Sequence, residues 1–137
     1  MSDEIKVLRE VAEEEFERFA EFARLKMDSY RSEAAQEKME TCRQHFIEAV
    51  VDGRIEVDAD GHVTVKTECE AVEKVHFGRR PNGYDDKQMD KQKMFAIEAK
   101  EDARICSVLG IAPALFGKIE QHDRRLIKEV FYLFLDE

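Results

Sequence analysis

From Ser2 to Val51 the chain contains neither glycine nor proline, and over its full 137 residues it has no tryptophan and only two prolines. The first absence leaves a stretch dense in Glu, Arg, Lys and Ala with nothing to interrupt a helix. Cysteine is also scarce. Cys42, Cys69 and Cys106 are odd in number and widely spaced, which fits reduced thiols better than a disulfide framework. Positive charge is in deficit, with a formal net charge of -9 and a pI near 5.0. That balance opposes binding to nucleic-acid phosphates or anionic lipid. No run approaches the length of a membrane span, and no basic, apolar and small-residue leader pattern opens the chain. No nucleic acid and no membrane are therefore expected as partners, and the cytoplasm is the expected location. A chain of this length fits one domain that folds without disulfides or metal.

What is present is periodicity. Ile5, Leu8, Ala12, Phe16, Phe19, Ala23 and Met27 recur at steps of three and four, as do Ala35, Met39, Cys42, Phe46 and Ala49. Each set is the apolar stripe of an amphipathic helix. Asp28, Ser29 and Ser32 are turn and helix-start residues, so a break near Ser29 folds residues 1–51 into a helical hairpin or extension. The competing arrangement is one rod of about 75 Å whose stripe needs a partner chain.

Gly53 ends the second helix, and the pattern then changes to alternation. Arg54-Ile55-Glu56-Val57 and His62-Val63-Thr64-Val65-Lys66-Thr67 flank Asp58-Ala59-Asp60-Gly61, a β-hairpin with glycine where positive φ is required. Val72 to Phe77 is a candidate third strand. Pro81-Asn82-Gly83 forces a turn, and a long helix is expected from Asp85 to Leu109, with Met94, Ile97, Ile105 and Val108 on one side and Gly110 as its C-terminal cap. A short helix follows with Pro113 in its first turn and Gly117 closing it. The last helix is expected from Asp123, through Leu126, Ile127, Val130, Phe131, Leu133, Phe134 and Leu135. The fold class is thus α+β, mainly α: an N-terminal helical hairpin, a small antiparallel β-hairpin or sheet, a long helix, a short helix and a C-terminal helix. The division is 1–51 and 52–137, with one compact domain as the alternative.

Chemistry-bearing patterns are thin. Cys42 and His45 lie one helical turn apart, and Cys69 and His76 are close in sequence, yet their spacing fits no zinc finger or ribbon. Glu68, Glu70 and Glu73 are scattered around a strand rather than paired for acid–base work. Asp58, Asp60 and Gly61 lack the remaining ligands of a calcium loop. No Gly-rich phosphate loop or nucleophile elbow occurs. No catalytic residue, metal or cofactor is expected. Arg79-Arg80-Pro81 is the most distinctive local motif, two fixed charges on a rigid turn, suited to gripping acidic groups of a neighbour by bidentate hydrogen bonds. The apolar excess of the last helix serves either the domain's own core or a partner surface.

From about Asp52 to Leu135 the chain resembles the tail assembly chaperones of long-tailed bacteriophages, in particular the short Mu-like and P2-like forms. Those proteins open with a β-hairpin, have a strand ending in a Thr-Leu-Arg-Arg-Pro-like sequence, and continue into a helix crowded with charges. Here the strand end is Val75-His76-Phe77-Gly78-Arg79-Arg80-Pro81. Leu109-Gly110-Ile111, Leu115 to Ile119, Asp123 and Phe134-Leu135 stand where the family has a Leu-Thr-Gly-Leu-like helix end, a short segment, and a last helix begun by Asp and ended by Phe-Leu. The resemblance implies a non-enzymatic, homo-oligomeric protein of the host cell cytoplasm. It would bind the apolar, helical tape measure protein and keep it soluble until tail tube subunits polymerise around it, with the tail tube protein as a second candidate partner. Phe116, Phe131, Phe134 and Leu135 are then the expected client contacts, and Arg79 and Arg80 the expected self-association residues. The alternative is a small acidic phage-encoded regulator of a host protein, suggested by Glu13, Glu14, Glu15, Glu17 and Glu21 on the first helix.

Overall fold

The computed structural model describes residues 8–25, 32–90 and 97–134, with six helices and three strands among them. Helix α1 spans Arg9–Ala23 and buries Ala12, Phe16, Phe19 and Ala23, one stripe at the expected spacing. Helix α2 spans Glu33–Val51, and the Ser32 hydroxyl caps it by accepting from the Ala35 N–H at 3.2 Å. The two helices pack on each other rather than forming a rod: the Phe16 and Phe46 ring centroids lie 5.3 Å apart. The expected break at Ser29 falls outside the described residues, but the end of α1 does not.

That end is made by Arg24 in the left-handed region, at φ 56°. The Leu25 N–H reaches Ala20 O at 2.9 Å and the Arg24 N–H reaches Glu21 O at 3.2 Å, the pairing that terminates many helices around a glycine. Arginine pays a steric penalty there that glycine does not. Arg24→Gly is expected to raise the unfolding free energy by about 0.5–1 kcal/mol, the strain relieved less the entropy glycine adds to the unfolded chain. A urea midpoint that stays put or falls would contradict this cap.

Gly53, at φ 78°, ends α2 as expected, and the Arg54 N–H returns to Ala49 O. Strands β1 (Ile55–Val57), β2 (Val63–Cys69) and β3 (Val72–Phe77) form an antiparallel sheet in the order β1-β2-β3. Val65 pairs with Ile55 on one side and with Val75 on the other. Ile55, Val57, Val63, Val65, Val75 and Phe77 are buried, whereas Glu56, Lys66, Lys74 and His76 are exposed. Alternation thus lays one face of the sheet on the helices. The expected third strand is present.

The expected single helix from Asp85 to Leu109 is not. Helix α3 (Gly83–Asp90) and helix α4 (Ile97–Leu109) run antiparallel, side by side, so the chain reverses between them. The six residues between, Met94 included, lie outside the described set, as does the side chain of Ile97. Nothing in local propensity asks for the reversal. It is held by long-range polar contacts, Asp85 with Ser107 and Asp86 with Arg104 at 3.0 Å, which periodicity cannot reveal. Gly110, at φ 70°, caps α4 as expected.

Helix α5 is one turn, Pro113–Phe116, and Gly117 closes it with an ordinary φ of -65°. Helix α6 spans Gln121–Phe134, starting two residues before Asp123. Buried residues from α1, α2, all three strands, α4, α5 and α6 join one hydrophobic cluster. Among the described residues, no separate core divides 1–51 from the rest. Among the described residues, no helix is long and apolar enough to cross a membrane.

Candidate functional site

The turn after β3 carries a dense polar network. Asn82 is the N-cap of α3: its side-chain oxygen accepts from the Tyr84 N–H at 2.9 Å, while Asp85 accepts from the Asn82 N–H at 2.8 Å. This reciprocal pair is a capping box with Asn and Asp in the two roles. Arg79 then grips the same carboxylate with both terminal nitrogens, at 2.8 and 2.7 Å, and donates to Ser107 O at 3.1 Å. The Ser107 hydroxyl donates to Asp85 as well. Asp85 is fully buried and Arg79 partly so. Burial alone pulls the Asp85 carboxyl upward, but the bonds from Arg79, Ser107 and the Asn82 amide outweigh it and hold the group below the usual carboxylate range.

The Arg-Arg-Pro motif is therefore split. The Arg79 fork binds an acidic group, as its chemistry suggests, but the acid belongs to its own chain, so Arg79 is committed inward. Arg80 is exposed, and its side chain has no partner among the described residues. The Asn82-to-Asp85 spacing is the one signal in the sequence that could have pointed to this arrangement. Ser107 left none.

Beside this turn lies an open groove between α3 and α4, lined by Tyr84, Gln88, Ala103, Cys106, Ile111 and Pro113. Tyr84 is 62% exposed and Leu115, on α5, 36%. Among the described residues, the other large exposed apolar ones are Leu8 and Val11, at the start of α1. The expected client contacts are elsewhere and face the wrong way. Phe116, Phe131 and Phe134 are all buried in the shared core, with the Phe134 ring stacked on Phe77 at 5.6 Å and edge-on to Phe19 at 5.2 Å. The domain consumes these rings itself because the sheet and α1 both need an apolar cover. Leu135 lies outside the described residues.

Asp123 is the second buried carboxylate. It accepts from Arg54 at 3.2 Å and from the Glu68 N–H at 3.0 Å, tying the start of α6 to the sheet. Next to it Glu68, Glu120 and His122 bring ligand atoms within 4.8 Å of one another, all exposed. A guanidinium on the adjacent Asp123 disfavours a cation there. The cysteine–histidine pairs do not converge: His45 contacts Glu129, and His76 contacts Thr64 at 3.0 Å. Cys42 and Cys106 are buried, and desolvation is the main cause that pushes both thiols up to about 11, far from nucleophilic range. Asp58 keeps its carboxylate inside the hairpin turn, accepting from the Asp60 and His62 amides.

The chain matches no family model, no curated protein and no solved structure. Its own residues are therefore the ground for a functional reading.

Proposed function

We propose that this protein is a non-enzymatic tail assembly chaperone that binds a long, apolar, helical tape measure protein and keeps it soluble until tail tube subunits assemble around it. The observation that carries this reading is the order of elements around the Arg79-Arg80-Pro81 turn. A β-hairpin and third strand lead into that turn, followed by charged helices closed at Gly110, a short helix and a last helix with Asp123 in its first turn. Two further features support it. The strongly acidic balance favours solubility, and the deeply buried carboxylates are held by structural partners rather than set against an open cleft. The client contacts are not the aromatic rings of α6, which the core occupies.

Co-expression with a long, apolar, helical tape measure protein tests the proposal. The chain should shift that protein from the insoluble to the soluble fraction and co-purify with it. An insoluble client, with the chain eluting alone, would overturn the reading.

A further inference from the structure

We draw no further inference here: the strongest candidate, the open groove between α3 and α4 lined by Tyr84, Ala103, Cys106, Ile111 and Pro113, carries nothing because nothing in the structure shows what covers it.

Discussion

Gly61→Ala is expected to destabilise the fold by about 2–4 kcal/mol, the sum of backbone strain and overpacking less a small gain in unfolded-state entropy. Gly61 sits at φ +86° in the β1–β2 turn, a conformation that costs any residue with a Cβ. It is also buried against α1, where an added Cβ would stand 2.5 Å from the Arg18 carbonyl oxygen and 2.7 Å from the Phe22 Cβ. Backbone is the nearer obstacle, so relief requires moving the turn or the helix. The same region is stitched by Arg18, which donates to the carbonyls of Val57 and Asp58. Displacement there loosens the contact between α1 and the sheet. Gly110→Ala is the control: its φ is +70° but nothing lies within 4 Å of the added carbon, so only strain of about 1 kcal/mol is expected. Urea denaturation of both variants checks the difference. Equal losses would mean that the turn does not rest on α1.

Arg79→Ala is expected to cost about 3 kcal/mol, because removing one partner of a buried ion pair leaves the other charge uncompensated. Partial exposure of Arg79 places the figure at the low end of that range. Ser107 and the Asn82 amide remain bonded to Asp85 but supply no charge. Arg80→Ala, one residue on, should stay within about 0.5 kcal/mol of the unaltered chain. A large loss at Arg80 with none at Arg79 would reverse the assignment. The same group also sets a pH dependence. The folded-state Asp85 carboxyl titrates below its unfolded value of about 3.9. Its contribution is therefore complete above that value and is lost as pH falls through the lower, folded one. In acid titrations followed by circular dichroism, Asp85→Asn should lower stability at neutral pH and flatten the slope below about pH 4. An unchanged acid slope would show that Asp85 does not drive it.

The two arginines illustrate why a site was only half legible. Sequence chemistry indicated correctly that a guanidinium fork there should seek a carboxylate. It placed that carboxylate on a neighbouring molecule, whereas Arg79 finds it within its own chain. The answer lay six residues away in Asp85 and, beyond it, in Ser107 on a helix that nothing local marks as folding back. The aromatic residues of α6 pose the same problem in apolar form. Their excess was visible, but whether Phe131 and Phe134 meet a partner or the chain's own Phe19 and Phe77 depends on where the sheet and α1 come to rest.

By itself the sequence determined the elements that short-range physics controls. The stripes of Ala12, Phe16, Phe19 and Ala23 and of Met39, Cys42 and Phe46 dictate helices because residues three and four apart share a face. The alternation on either side of Asp58 to Gly61 dictates a hairpin, and Gly53 and Gly110 end helices because only glycine turns left without strain. Tertiary structure alone decided the reversal between α3 and α4, the inward turn of Phe116, Phe131 and Phe134, and the seat of Gly61 against Arg18. Each of those depends on contacts between residues distant in the chain. Such contacts are selected by the free energy of the whole packed core, and no local pattern encodes them.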